Sequence, residues 1–149
     1  MKDTIYLASD HGGVVLKAAI LSHLTSAGFA PVDLGPAEGE SVDYPDYAAK
    51  LAMALEAEPE ARGILICGSG IGISIAANRF PWVRAALVHD ETSARLCREH
   101  NDANVLALGE RLMGTLTALQ AVDVFLNTDF SGGRHERRVA KLTNIAQSQ

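Results

Sequence analysis

The segment "GILICGSGIGISIAANR", residues 63–79, contains the pattern from which the fold is predicted. It begins with an apolar run that ends at Cys67, passes through a loop rich in glycine and serine, and returns to an apolar run. This order predicts a strand, a tight loop and a helix. Cys67 is then the last residue of the strand, and the loop that follows it runs from Gly68 to Gly72.

The same alternation extends through all 149 residues, of which 48% are hydrophobic. Short β-prone runs are predicted as strands at 4–8, 30–34, 63–67, 84–88 and 104–108. Helix-like stretches lie between and after them, at 13–29, 47–58, 91–100, 115–128 and 136–146. Strands that alternate with helices predict an α/β fold, with a parallel sheet covered by helices on both faces. The length favours a single domain over residues 1–149.

Composition and charge exclude several classes of partner. The net charge of -5 gives no overall attraction for nucleic acid or for an anionic membrane. No apolar run approaches the length of a membrane span, and the N-terminal apolar stretch is too short for a secretory signal. Two cysteines are too few for a disulfide scaffold, so we expect reduced thiols and a cytoplasmic protein.

Polar and titratable residues gather where four of the predicted strands end. In open parallel sheets, ligands bind outside the carboxyl ends of the strands, so these residues are candidates for a site. They are Ser9, Asp10 and His11 after the first strand, Cys67 at the end of the third, His89 and Asp90 after the fourth, and Gly109, Glu110 and Arg111 after the fifth.

The glycine loop predicts anion binding, because free backbone N–H groups and the helix dipole favour negative charge. It lacks the Gly-Lys-Ser/Thr ending of a Walker loop. It partly matches a dinucleotide fingerprint, in which Asp90 would hold the ribose. However, Ile73 occupies the third glycine position, and the loop follows the third strand.

Cys67 and Cys97 differ in their predicted positions. A cysteine at the end of a buried strand is often only a small hydrophobic residue. Cys67 also precedes a helix N-terminus, which stabilises a thiolate, and a loop whose N–H groups could hold an oxyanion. It is therefore a candidate nucleophile or proton-abstracting base. Cys97 lies within a helical run and is interpreted as packing or surface.

Two further clusters have alternative interpretations. Asp10, His11, His89 and Asp90 could form a metal site, but their spacing matches no standard ligand pattern, and no metal is predicted. The stretch "SGGRHERRV", residues 131–139, could be a solvated helix start or an anion clamp, since arginine binds phosphate bidentately.

Together, five motifs in order resemble the type B ribose-5-phosphate isomerase family, which also includes allose- and galactose-6-phosphate isomerases. They are "SDHGG" (9–13), "DYPDYA" (43–48), "GILICGSGIGISIAANR" (63–79), "HNDANVLALG" (100–109) and "GGRHERRV" (132–139). The resemblance covers essentially the whole chain. It implies a Rossmann-like three-layer α/β/α sandwich with a five-stranded parallel sheet. It also implies a homodimer or a tetramer, active sites at the subunit interface and no cofactor.

The resemblance also implies roles for individual residues. Cys67 resembles the base that moves a proton between C2 and C1 of an open-chain phosphosugar through an enediolate. Asp10 and His100 resemble the groups that handle the hydroxyls and open the ring, without indicating which of the two does so. The remaining substrate contacts resemble an anion hole at Gly68, Ser69, Gly70, Ile71 and Gly72, a sugar-binding residue at Asn101, and a phosphate clamp at His11, Arg134 and Arg138, with Arg111 and His135 beside it.

The sequence thus predicts an aldose–ketose isomerase, with ribose 5-phosphate as the expected substrate. Some relatives carry a glutamate base in the loop, whereas "IGISIAAN" here has no acid, which resembles the cysteine-using branch. Four- and six-carbon sugar phosphates, such as allose 6-phosphate, present the same reacting end and stay open as substrates. A module that binds a nucleotide or phosphosugar without turnover is the alternative from another class.

Overall fold

The computed structural model describes residues 3–147 and contains one five-stranded parallel sheet. The strands lie in the order β2-β1-β3-β5-β4, and every neighbouring pair is parallel. The predicted parallel sheet is therefore confirmed, with strand boundaries that differ by at most one residue. The strands are β1 Ile5–Ser9, β2 Pro31–Asp33, β3 Arg62–Cys67, β4 Ala85–Leu87 and β5 Val105–Gly109.

Helices cover both faces of the sheet, which confirms the predicted three-layer Rossmann-like α/β/α sandwich. The first, fourth and fifth helices pack on one face, and the second and third on the other. The helices are α1 Val14–Ser26, α2 Tyr44–Ala57, α3 Ile71–Ala77, α4 Glu91–Asn101, α5 Thr115–Asn127 and α6 Arg134–Thr143, with 3₁₀ turns at His11–Gly13 and Ile145–Gln147.

The central strand β3 shows how the core is divided between the two faces. Successive side chains of a strand point to opposite faces. Ile64 and Ile66 lie in the core under α1, α4 and α5, whereas Leu65 and Cys67 lie in the core under α2 and α3. The pleat therefore directs the Cys67 side chain toward α3.

Two helix boundaries differ from the sequence prediction for identifiable reasons. Helix α2 begins at Tyr44, three residues earlier than predicted, with Pro45 in its first turn. Proline is tolerated there because its missing N–H would have no partner inside the helix. The last helix runs over Arg134–Thr143, whereas the prediction was 136–146, and a short 3₁₀ turn follows it.

Helix α4 has an acidic residue at each end, which caps it through its side chain at the start and through its backbone at the end. At its start, the Asp90 carboxylate accepts hydrogen bonds from the N–H of Ser93 at 2.7 Å and from its hydroxyl at 2.8 Å. These bonds lower the pKa of the Asp90 carboxyl below its ordinary value. At its end, Asp102 adopts the left-handed conformation, with φ 46°. Because the Asp90 carboxylate caps the helix, it is not free to bind a ribose, as the dinucleotide alternative requires.

The end of β1 is held by a buried lysine that sequence analysis did not single out. The ammonium of Lys17, on α1, donates to Asp33 Oδ1 and to the Pro36 carbonyl, both at 2.8 Å. In the loop fixed in this way, the Gly35 carbonyl accepts a hydrogen bond from the Ser9 N–H at 3.1 Å. Ser9 directly precedes Asp10, so the lysine supports the edge where the candidate site lies.

Strand β4 forms one edge of the sheet, and a side chain occupies the outward backbone groups of its first residue, Ala85. Asn78 accepts from the Ala85 N–H at 2.8 Å and donates to the Ala85 carbonyl at 2.9 Å. The amide therefore pairs with the strand as a neighbouring strand would. Between residues 3 and 147, no helix has both the length and the apolar character needed to cross a bilayer.

Candidate active site

A crevice opens where β1 and β3 lie side by side at the carboxyl edge of the sheet. The register pairs Ser9 with Ile66, so the two strands end together. From β1 the chain turns to α1 on one face, and from β3 it turns to α3 on the opposite face. Divergent connections from adjacent parallel strands leave a gap that commonly binds ligands.

This crevice contains a cleft with a volume of about 330 Å³. The structure brings together five residues that the sequence predicted for the site, and adds Gly12 and Leu112. We call this group the first half-site; its lining residues are Asp10, His11, Gly12, Gly68, Ser69, Arg111 and Leu112.

Asp10 and His11 are both held in place by backbone contacts. The Asp10 N–H donates to the Ile66 carbonyl at 3.1 Å, and Asp10 Oδ1 accepts from Gly12 N–H at 2.8 Å. Oδ2 has no partner within residues 3–147 and is available to a ligand. The His11 ring is anchored through Nδ1, which lies 3.0 Å from the Val42 carbonyl oxygen. This contact leaves Nε2 available to a ligand.

Cys67 directly precedes Gly68, which lines the cleft, but Cys67 itself is not among the lining residues. Only 4% of its surface is exposed, and its side chain packs in the core under α2 and α3. The Gly70 N–H donates to Cys67 Sγ at 3.0 Å. Gly70 has φ 77°, and a Cβ there would lie 2.6 Å from the Leu87 side chain and 2.8 Å from the backbone of Leu108. Only glycine fits this position, which aims a backbone donor at the sulfur.

The loop amides divide into committed and available donors. Gly70 N–H is directed to the sulfur, and Ile71 N–H to Ser69 Oγ at 3.2 Å. Within the described chain, the N–H groups of Gly68, Ser69 and Gly72 make no hydrogen bond. The predicted anion hole over residues 68–72 therefore has its free donors at those three positions.

Gly109, at the end of β5, lets the glycine loop pass close to the sheet. It pairs with Cys67 in the register of β3 and β5. A Cβ on Gly109 would lie 2.5 Å from the carbonyl carbon and oxygen of Ser69. The position of the loop therefore depends on the absence of a side chain at residue 109.

Three residues around the first half-site have contacts that the sequence did not predict. The Tyr44 ring lies over Gly72, where a Cβ would come within 2.6 Å of it, and the motif "DYPDYA" was the only signal for this placement. Glu110 accepts from the Leu16 N–H at 2.6 Å, and so caps α1 from a distant part of the chain. The Arg111 side chain lies over Gly68, at 3.5 Å from a Cβ built there.

The other predicted site residues form a second cluster on α4 and α6. A cleft of about 330 Å³ is lined there by His100, Asn101, His135 and Arg138, together with Val139 and Leu142. We call this cluster, with the neighbouring Arg134, the second half-site. The rings of His100 and His135 stack with centroids 4.4 Å apart. Desolvation, and then the positive charges of His100, Arg134 and Arg138, lower the pKa of His135 below its ordinary value.

An ion-pair network fixes the end of α4 that carries His100 and Asn101. Arg98 is 5% exposed, and its Nη1 donates to Asp102 Oδ1 at 2.9 Å. Arg84 Nη2 reaches Asp102 Oδ2 at 3.3 Å. Asp102 thus takes one arginine on each carboxylate oxygen, which holds its left-handed backbone in place.

The two half-sites lie at opposite ends of the strands, the first at their carboxyl ends and the second near the amino end of β5. Helix α4 ends at Asn101, just before β5 begins, whereas the first half-site lies beyond the end of β5. Strand β5 spans five residues, which at ~3.3 Å per residue is about 16 Å. One chain therefore does not bring His100 and Arg138 to Cys67 and Asp10.

Two candidates from the sequence remain to be located, the second cysteine, Cys97, and a metal site. Cys97 is 6% exposed and its Sγ donates to the Ala94 carbonyl at 3.2 Å. Burial raises the pKa of the Cys97 thiol to about 11, so it stays protonated at neutral pH. Across residues 3–147 there is no group of three or more His, Cys, Asp or Glu side chains placed to hold a metal ion.

Comparison with known proteins identifies the family. The profile described as Ribose/Galactose Isomerase matches residues 5–142. The chain belongs to the ribose/galactose isomerase family. It is similar to ribose-5-phosphate isomerase B of Escherichia coli, with 45% identity over 143 residues that cover 96% of both chains. The resemblance seen in the sequence motifs is therefore confirmed.

Solved structures of ribose/galactose isomerases share the fold described above. The ribose-5-phosphate isomerase B of Clostridium thermocellum is 49% identical, with a TM-score of 0.94 over 97% of this chain and 98% of that one. The ribose-5-phosphate isomerase B of Mycoplasma genitalium, solved with bound ribulose-5-phosphate, is 42% identical, with a TM-score of 0.94. That match covers 100% of this chain and 99% of the other.

Proposed function

We propose that this isomerase interconverts ribose 5-phosphate and ribulose 5-phosphate, with Cys67 as the base. The observation that carries the proposal is the position of Cys67 at the carboxyl end of β3, next to the cleft residue Gly68, where its Sγ accepts a hydrogen bond from the Gly70 N–H at 3.0 Å. A sulfur held by a backbone donor beside a cleft that contains a free carboxylate oxygen suits proton transfer. The names of the similar proteins support the choice of substrate.

The proposed reaction passes through an enediolate. Cys67 removes the C2 proton of the open-chain aldose, the electron pair forms the C1–C2 double bond, and the carbonyl oxygen at C1 becomes the oxyanion. We expect the free N–H groups of Gly68, Ser69 and Gly72 to stabilise that charge as it develops. The proton of the C2 hydroxyl moves to the oxygen at C1 through Asp10 or His100, and the negative charge passes to the oxygen at C2. Cys67 then returns its proton to C1 as the carbonyl forms at C2, which yields the ketose. These steps need no redox cofactor and no metal.

The sugar itself is held by groups from both half-sites. Asp10 Oδ2 and the His100 ring are the candidates for opening the furanose ring and moving the hydroxyl protons. Asn101, beside His100 at the end of α4, is placed to bind a sugar hydroxyl. The assignment of ring opening to Asp10 or to His100 stays a prediction.

The phosphate is proposed to bind between His11 and Arg111 of the first half-site and Arg134, His135 and Arg138 of the second. Arginine and histidine donors suit a dianionic phosphate. Because the phosphate does not react, its binding free energy can position C1 and C2 against Cys67.

A symmetric homodimer completes both active sites. The half-sites lie at opposite edges of one chain, and a two-fold axis would bring the first half-site of each chain against the second half-site of its partner. Helix α6 supports this arrangement because it has no buried residue in the isolated chain. Association of two such dimers into a tetramer, one domain per chain and a cytoplasmic location complete the proposal.

The test is turnover of a panel of four-, five- and six-carbon aldose phosphates with a chelator present. We expect ribose 5-phosphate to be converted fastest, and the chelator to have no effect. Faster conversion of a six-carbon substrate would reassign the substrate. Binding without turnover of any member would indicate a binding module, and loss of activity with chelator would indicate a metal.

A further inference from the structure

Helix α6 presents an exposed basic face that has no partner in its own chain. Arg134, Arg138 and Lys141 follow one another at intervals of four and three residues, and Arg137 flanks them, so all four share one side of the helix. All four side chains are exposed, and within residues 3–147 none forms an ion pair or hydrogen bond. The neighbouring face, with Val139 and Leu142, lines the second half-site.

A segment of opposite charge precedes and begins α2. Between residues 38 and 46 there are four acidic residues and no lysine or arginine. All four side chains are exposed and none is paired in the described part of the chain; they are Glu38, Glu40, Asp43 and Asp46. Asp43 and Asp46 also line a hollow of about 510 Å³. We call residues 38–46 the acidic segment.

The acidic segment lies beside the first half-site. Val42, in its middle, contacts the His11 ring at 3.0 Å. The basic face of α6 lies beside the second half-site at the other edge of the sheet. The two charged surfaces of one chain are therefore separated and cannot pair with each other.

We propose that the basic face of α6 docks on the acidic segment of a second copy of this chain, and that this pairing guides assembly of the shared active site. The inference rests on the proposed function, in which the second half-site of one chain meets the first half-site of its partner. That arrangement carries α6 to the place that the acidic segment flanks. Arg134 and Arg138 are assigned to the phosphate, which leaves Arg137 and Lys141 to pair with Glu38 and Glu40.

The physical basis is charge complementarity at the rim of an interface. Such charges speed association and select the orientation of the partner, and their effect decreases as salt increases. Like charges brought together at the same place oppose association. In this chain, each surface alone would repel its own copy, so the pairing also disfavours dimers in which two α6 helices or two acidic segments meet.

The experiment is a charge-reversal cycle on residues outside the proposed catalytic and phosphate sites. The dimer Kd is measured by fluorescence-detected sedimentation for wild type, Arg137→Glu, Glu40→Lys and the double variant, at low and high salt. We expect each single reversal to raise Kd by about tenfold or more at low salt, and the double reversal to recover most of the loss. Glu56→Lys changes the net charge as Glu40→Lys does, lies at the far end of α2, and should leave Kd unchanged.

The outcomes separate this inference from the function on which it rests. Single effects that do not recover in the double variant, or a Kd unaffected by any reversal, would overturn the docking while leaving the isomerase proposal in place. An equal loss of dimer affinity in Glu56→Lys would show that the effect comes from net charge alone, and would also overturn the docking. A fully active monomer would instead overturn the shared active site.

Discussion

Cys67 and Cys97 are both buried, but their surroundings predict different chemistry. Cys67 Sγ accepts a hydrogen bond from Gly70 N–H, whereas Cys97 Sγ donates to the Ala94 carbonyl. An acceptor sulfur is suited to carry a negative charge. A donor sulfur within a helix, with a pKa of about 11, is not. The difference between the two residues lies in the direction of one hydrogen bond.

Replacement of Cys67 by alanine is therefore expected to remove the base. A general base contributes ~100- to 10,000-fold, so kcat should fall by about that factor while the melting temperature changes little. Cys67→Ser should fall similarly, because a serine hydroxyl does not ionise here. Steady-state kinetics and thermal melts measure both effects.

Cys97→Ser provides the matched control and should keep its activity. Iodoacetamide should modify Cys67 before Cys97, and a phosphosugar should slow that reaction. Near-normal turnover by Cys67→Ala, with solvent deuterium still entering the product, would assign the base to another group, of which Asp10 is the first to test.

His135 is expected to titrate below its ordinary pKa of about 6.5. Removal of a nearby positive charge in Arg138→Ala should move the titration midpoint upward, and inorganic phosphate should do the same. Because the unfolded chain binds a proton at higher pH than the folded chain, this residue costs stability as pH falls below about 6.5. NMR of the ring protons across pH 5–8 measures the midpoint. A wild-type midpoint at or above the ordinary value would contradict the prediction, and an unchanged midpoint in Arg138→Ala would remove Arg138 from its causes.

Among the elements, the contact between β5 and the glycine loop carries a direct prediction. A methyl group at residue 109 would overlap the backbone of Ser69, so Gly109→Ala should displace the loop and lower kcat. Overpacking of this kind costs roughly 1–3 kcal/mol of stability. Gly114→Ala, where a Cβ meets nothing within 4 Å, is the control and should stay active. Equal activity of the two variants would show that the loop position does not matter to turnover.

The elements themselves were largely predictable because hydrophobic periodicity is a local signal. All five strands were predicted from apolar runs, and each predicted end lies within one residue of the observed end. The contacts that hold the elements together were not predictable, because they join distant parts of the chain. A lysine in a helical stretch, such as Lys17, is expected on the surface, yet this one is buried against Asp33 and Pro36.

At the scale of the whole molecule, the shared active site predicts complementation between inactive chains. Cys67→Ala removes the proposed base next to the first half-site, and Arg134→Ala weakens the second half-site, so each homodimer should have little activity. In an equal mixture, half of the dimers are hybrids with one intact site, which should restore about a quarter of wild-type activity. The activity of the mixture is measured before and after the subunits have exchanged. Failure to recover, with hybrids shown to form, would place both residues in one chain's site.

The division into half-sites could not be predicted from the residues alone. The motifs around Asp10, Cys67 and His100 predicted which side chains take part, and only the family resemblance implied that the site lies between subunits. A residue that follows a strand lies at its carboxyl end, and a residue that precedes a strand lies at its amino end. His100 precedes β5 rather than following it, and this order along the chain places it at the far edge.

The amide of Asn78 has a consequence for how copies of this chain can aggregate. An edge strand with free N–H and carbonyl groups is a template on which another molecule can extend the sheet, as in amyloid. Both backbone groups of Ala85 are already bonded to Asn78, so an incoming strand would have to displace this amide before it could extend the sheet past β4. A variant such as Asn78→Ala would leave these two groups open to another molecule.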